Sequence, residues 1–284
     1  MTIISYEMLE ERIYDWGNLN SEIMTIYVMG SRARINKPFD EFSDLDVVIF
    51  ASNPDYYFRT DEWLLDIGEV WTNFVFRTAG GDPEKLVLFD QALQVDFLFR
   101  HVSELESLIE NDRIPQGFQR GARILLDKTG RGQRLLPKNT AEFEVQPITE
   151  AAFLQVVNIF GFGCIYVAKQ ILRGEMWIAY QRDEDCKQML LQMIEWHAKS
   201  IHGSQYDTWH AGKFVDQWAE QGVIADLKQS FGGYDQNKSW EALIVTFELF
   251  NRLSSEVANT YGFTYPEQLV VNIRSWLKER RLGA

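Results

Sequence analysis

Residues 23–50 read IMTIYVMGSRARINKPFDEFSDLDVVIF. Two runs rich in β-branched and aromatic residues, 23–29 and 44–50, flank a polar connection, and each predicts a strand. The first run ends on Gly30-Ser31. A glycine at a strand end lets backbone N–H groups approach a phosphate closely, and a helix starting there adds a favourable dipole. The Ser31 hydroxyl supplies a further donor, and Arg32 follows it. The second run opens with Asp44 and Asp46. Strand side chains alternate faces, so both carboxylates point the same way. Carboxylates side by side repel unless a cation lies between them. Mg²⁺ takes a few carboxylates together with phosphate oxygens and water, so it suits this pair.

Working outward, residues 95–99 read VDFLF. Val95, Phe97 and Phe99 share one face of that strand and Asp96 takes the other. A strand placed there beside the Asp44 strand would bring three carboxylates to one point, as in-line phosphoryl or nucleotidyl transfer with two metal ions requires. Further strands are predicted at 70–77, at 85–89 and 94–100 as a hairpin through 90–93, and at 123–126. Residues 5–16 predict a helix capped by Ser5, Thr60 a cap for a short helix to Asp66, and Ser103 with Glu106 a capping box for a helix to Ile109. The polar segment 130–148 reads as a linker. Beyond about residue 140 the pattern turns helical, with helices expected at 149–173, 183–201, 210–221, 238–261 and 266–281. The fold class is therefore α+β, with a mixed sheet and flanking helices over 1–140 and an all-helical bundle over 141–284.

The chain has 284 residues, 28 Lys+Arg against 41 Asp+Glu, and a formal charge of −13. Residues 1–100 carry 8 basic and 18 acidic side chains, so most of the excess lies there. Such a chain is a poor nucleic-acid binder, because phosphate contacts need Lys and Arg. It suits metal ions and small organic cations better. The sequence shows no signal peptide and no unbroken apolar run long enough for a membrane span. Cys164 and Cys186 lack CxxC partners and read as reduced, partly buried thiols of a cytoplasmic protein. The four histidines lack zinc-site spacing.

The ordered set Gly30-Ser31-Arg32-Ala33, Asp44-Leu45-Asp46 and Asp96 resembles the nucleotidyltransferase superfamily that includes DNA polymerase beta and kanamycin nucleotidyltransferase. Within it, the chain is most similar to the aminoglycoside 6-adenylyltransferases, also called streptomycin adenylyltransferases. Leu126-Asp127-Lys128, Tyr166-Val167-Ala168-Lys169, Glu195-Trp196-His197 and Gly212-Lys213 carry that likeness into the helical half. The resemblance implies Mg²⁺-dependent transfer of AMP from ATP to a hydroxyl of a small cationic drug, releasing pyrophosphate. It implies Asp44 and Asp46 as ligands of two Mg²⁺ ions, Asp96 as either a third ligand of the metal site or the proton acceptor of the attacking hydroxyl, and Gly30, Ser31 and Arg32 as holders of the triphosphate. Lys169, on an otherwise apolar helix, is the basic candidate for reaching the phosphates from the second domain. The family's Asn-Glu-Phe-Trp stretch reads Asn158-Ile159-Phe160-Gly161 here, with an acid and an aromatic missing.

Other readings compete. The runners-up are a nucleotidyltransferase acting on another small hydroxylated molecule such as a lincosamide, and a retained, inactive nucleotide-binding module of antitoxin type. Polynucleotide end-addition is disfavoured by the charge. Trp196-His197 and Trp209-His210 read as helical core aromatics with satisfied histidines. Asp183-Glu184-Asp185 reads as a solvated helix N-terminus. The basic residues Arg113, Arg120, Arg123, Lys128, Arg131, Arg134 and Lys138 read as a solvated surface.

Overall fold

The protein is described here from a computed structural model covering residues 4–34, 36, 39–78, 80–137 and 146–282. The chain divides into two compact units, Met1–Phe143 and Glu144–Ala284.

The first unit is a six-stranded mixed sheet with helices on both faces. Its elements are α1 (Tyr6–Leu19), β1 (Ile23–Met29), β2 (Leu45–Ala51), α2 (Pro54–Arg59), β3 (Val70–Arg77), β4 (Pro83–Phe89), β5 (Leu93–His101), α3 (Val102–Glu110) and β6 (Ala122–Asp127). The strand order is β3-β4-β5-β2-β1-β6. β2 and β5 run parallel and every other neighbouring pair is antiparallel.

The alternation of each central strand sorts its side chains between two cores. Val28, Val47, Ile49, Phe97 and Phe99 pack with Leu9, Ile13 and Trp16 of α1 and Tyr57 of α2. On the other face Tyr27, Val48, Phe50 and Leu98 pack with Leu105 and Ile109 of α3. Asp46 and Asp96 belong to this second face, at the end where the apolar cover stops.

Ser5 caps α1 as expected, its Oγ accepting from Met8 N at 3.4 Å. Two other caps differ from expectation. Thr60 ends α2 instead of starting a helix: its hydroxyl donates to Tyr56 O, and residues 62–66 form only a 3-10 turn. At α3 the cap is His101, whose side chain accepts from Ser103 N at 3.2 Å. The imidazole does what the Ser103 hydroxyl was expected to do. The segment read as a linker begins with folded structure. Residues 132–135 form a 3-10 turn, Leu135 is fully buried, and Gly132 N donates to Asp127 at 2.8 Å. Residues 138–145 of it, Lys138 included, lie outside the described residues.

The second unit is helical, with α4 (Glu150–Leu172), α5 (Met176–His202), α6 (Val215–Trp218), α7 (Gln221–Leu227), α8 (Gln236–Tyr261) and α9 (Glu267–Leu282). α4 packs on α5, α8 and α9, and Phe160 stacks on Phe250 of α8 with centroids 3.6 Å apart. By length and composition alone α4 could cross a membrane, with a mean hydropathy of 1.8 over its most apolar 18 residues. Here it packs within the helical bundle, burying Phe153, Val157, Phe160 and Cys164 while Ile159 and Phe162 stay exposed.

α5 begins seven residues before the expected start. Trp177, Ile178 and Tyr180 in its first turns are exposed, so no amphipathic stripe marked them. Asp183-Glu184-Asp185 therefore lies inside a helix, not at its N-terminus. The expected helix 210–221 is broken: Trp209, Ala211, Gly212 and Phe214 all have positive φ. His210 is exposed there and Trp209 half-buried, so that pair is not a helical core. His197 is buried as expected and sits 2.6 Å from Glu256 Oε2. Cys164 and Cys186 are free and fully buried.

Candidate active site

The register Asp46↔Asp96 between parallel β2 and β5 decides the site. Residues paired across a ladder present their side chains on the same face. Asp44 precedes β2 by one residue and keeps the alternation. Asp44, Asp46 and Asp96 each offer a carboxylate oxygen, and these three oxygens lie within 4.8 Å of one another. Three hard oxygen donors at that spacing fit a divalent cation such as Mg²⁺. The electrostatics agree. The Asp96 carboxyl is held above its ordinary range, first by burial and then by the charge of Asp44, against a hydrogen bond from Gln94 Nε2 at 3.1 Å. A cation in the cluster would offset that repulsion.

Gly30 permits the arrangement. It sits at φ +69°, and a Cβ there would lie 2.1 Å from Asp46 Oδ2. Only a residue with no side chain leaves room for that carboxylate. Gly30, Ser31 and Arg32 form a 3-10 turn straight after β1. Ser31 is buried and its Oγ donates to Asp44 O at 3.3 Å.

Arg32 is also buried. Its Nε and Nη2 donate to Ser43 O at 3.0 and 2.9 Å, and its guanidinium lies 3.6 Å over the Tyr6 ring. The turn is thus tied to the backbone just ahead of the metal-type aspartates. Two of the five Arg32 N–H donors go to Ser43 O, which holds this turn in place.

Two neighbours went unread in the sequence. Glu84 of β4 lies on the same sheet face as Leu86, which pairs with Asp96. Its carboxyl is raised by burial first, then by the charges of Asp96 and Asp44. The alternation of 84, 86 and 88 against buried Lys85, Val87 and Phe89 holds the signal, but it needs the register to be read. Tyr6 of α1 accepts from Gln94 N at 3.1 Å, and its hydroxyl is raised mainly by burial, with Asp44 and Asp96 adding to the shift.

Lys169 lies exposed on α4 in the helical unit. The basic stretch has structural partners: Lys128 Nζ donates to the carbonyls of Gly17 and Asn20, each at 2.7 Å, and Arg134 to Ile109 O at 2.9 Å. Arg123 pairs with Glu10 at 2.5 Å.

A family profile described as "Streptomycin adenylyltransferase" matches residues 4–280. The aminoglycoside 6-adenylyltransferase of Campylobacter jejuni is 25% identical over 268 residues, covering 90% of this chain and 91% of that protein. Its Bacillus subtilis counterpart is 23% identical over 262 residues, covering 88% and 89%. A crystal structure of an aminoglycoside 6-adenyltransferase from Bacillus subtilis aligns with 97% of this chain and 98% of that one, at 18% identity and a TM-score of 0.45. With that profile matched over residues 4–280, the chain belongs to the streptomycin adenylyltransferase family and is a nucleotidyltransferase.

Proposed function

We propose that the protein transfers AMP from ATP to a hydroxyl of an aminoglycoside of the streptomycin type, releasing pyrophosphate. The observation that carries this reading is the convergence of Asp44, Asp46 and Asp96 in a chain of this family. Asp44, Asp46 and Asp96 would hold Mg²⁺, which would supply charge screening for the triphosphate and polarisation of the α-phosphate. The open backbone at Gly30 admits the triphosphate and Ser31 lines the same turn. Arg32 fixes that turn against Ser43.

Asp96 accepts the proton of the attacking hydroxyl, whose oxygen bonds to the α-phosphorus as the bond to pyrophosphate breaks. Residues 1–140 form the catalytic domain in this reading, and residues 141–284 bind the acceptor. Lys169 contributes a charge toward the nucleotide.

Incubation with labelled ATP, Mg²⁺ and a panel of aminoglycosides including streptomycin tests this. The expected result is an acceptor heavier by one adenylyl group and one equivalent of pyrophosphate. Transfer to none of the panel overturns the aminoglycoside reading. Asp46→Asn should abolish transfer and weaken Mg·ATP binding, and Lys169→Ala should raise KM for ATP with little change in kcat.

A further inference from the structure

The helical unit contains a cavity of about 480 Å³ formed by its own helices α4, α5, α6, α7 and α8. That volume lies within the range of small-molecule sites. Val167, Ile171, Ile194, Leu227 and Ala242 give it an apolar wall. Its rim differs in character. Tyr180 and Phe231 stand there 58% and 63% exposed, beside the carboxylates of Asp183 and Glu184.

The chain keeps the mouth open by sequence. Phe231 is followed by Gly232 and Gly233, and a Cβ on Gly232 would meet Lys238 O at 2.4 Å. The loop therefore folds tightly onto the start of α8 and sends no side chain from 232 or 233 into the space.

The charges at the rim do not balance. Lys187 Nζ donates to both oxygens of Asp183, at 2.7 and 2.8 Å. Glu184 has no such pairing among the described residues. The rim is left with one unmatched negative charge beside two aromatic faces. Lys187 itself shows that the rim accepts an ammonium, since its Nζ lies 5.5 Å from the Phe231 ring centre. Carboxylate and aromatic face together recognise an organic cation.

We infer that this cavity is a second ligand site, separate from the acidic cluster of β2 and β5, that takes an organic monocation with an apolar body. Glu184 pairs with the ammonium, the Tyr180 and Phe231 rings flank it, and the apolar body fills the space between α4 and α8. A polyhydroxylated aminoglycoside has no such body, so the inference does not depend on the acceptor proposed above.

Calorimetric titration of the full chain, without ATP or Mg²⁺, tests it with 4-phenylbutylamine and its neutral counterpart 4-phenylbutan-1-ol. The amine should bind at least tenfold more tightly. Glu184→Gln should bring the amine to the level of the alcohol and leave the alcohol unchanged. Gln188→Trp, at an exposed lining position, should block both. Both substitutions fall on the solvent side of α5, where folding is insensitive to side-chain identity. Equal binding of amine and alcohol overturns the cation assignment. Binding of neither, or amine binding that survives both substitutions, overturns the site.

Discussion

At Gly30 the backbone sits at φ +69° and an added Cβ would touch the Asp46 carboxylate. A left-handed conformation costs a non-glycine residue about 1 kcal/mol, and the displaced carboxylate costs more where chemistry depends on it. Gly30→Ala should lower kcat/KM by about 100-fold, while circular dichroism and the thermal midpoint stay close to wild type. A variant that keeps full activity would show that Asp46 has freedom this geometry denies it. Glu195 makes a different prediction. Burial pushes its carboxyl up to about 7 from an ordinary 4.5, against the pull of Lys199. The folded chain therefore holds a proton that the unfolded chain releases between those values, so this group removes stability as pH rises from about 4.5 to about 7. Glu195→Gln should raise the unfolding free energy from urea titration at pH 8 by about 1–2 kcal/mol after allowance for partial exposure. The gain should vanish near pH 4.5.

Among the elements, α4 illustrates how a helix tolerates glycine. Gly161 and Gly163 lower its intrinsic helix propensity, each by about 1 kcal/mol relative to alanine. The structure uses both for close approach. A Cβ at Gly161 would meet Ile273 Cδ1 of α9 at 2.9 Å, and one at Gly163 would meet Cys186 Sγ of α5 at 2.8 Å. The Ile273 methyl is the far end of a flexible side chain. The Cys186 sulfur is buried one bond from its Cβ, so it has little room to move. Gly161→Ala should thus change stability by less than about 1 kcal/mol, whereas Gly163→Ala should lose about 1–2 kcal/mol in spite of better propensity. Chemical denaturation of the pair checks the ranking. Lys85 makes the same point in β4: it is buried, yet its Nζ donates to Tyr57 O at 3.1 Å and Thr60 O at 2.7 Å and pairs with Asp61. Lys85→Met should cost about 2–3 kcal/mol, because it removes the cation paired with Asp61 and one donor from each of those carbonyls, which then keep only Trp63 Nε1.

For the whole molecule, the charge of −13 bears on association more than on folding. Three of the N-terminal acids form the cluster at β2 and β5, and Glu10, Asp55, Asp61 and Asp82 pair with arginine or lysine. The unpaired remainder should draw a polycationic acceptor, so KM for the drug should rise several-fold between 0.05 and 0.5 M salt, as screening shortens to a few ångströms. A salt-independent KM would remove steering from the account. The chain alone determined the strands, because runs of β-branched and aromatic residues favour extended backbone locally: 23–29 and 70–77 match β1 and β3 residue for residue. It also determined the pairing of Asp44 with Asp46, since both lie in one local segment. Where features depended on distant residues, the reading failed or stopped. The His101 cap, the left-handed breaks at Trp209, Ala211 and Phe214, and the folded turn at 132–135 have no local signature. The convergence of Asp96 on the pair, the place of Glu84 beside it and the engagement of Arg32 with Ser43 were decided only by the tertiary structure. Which strand lies beside which, and in what register, is set by the packing of both sheet faces, and no local window of sequence contains it.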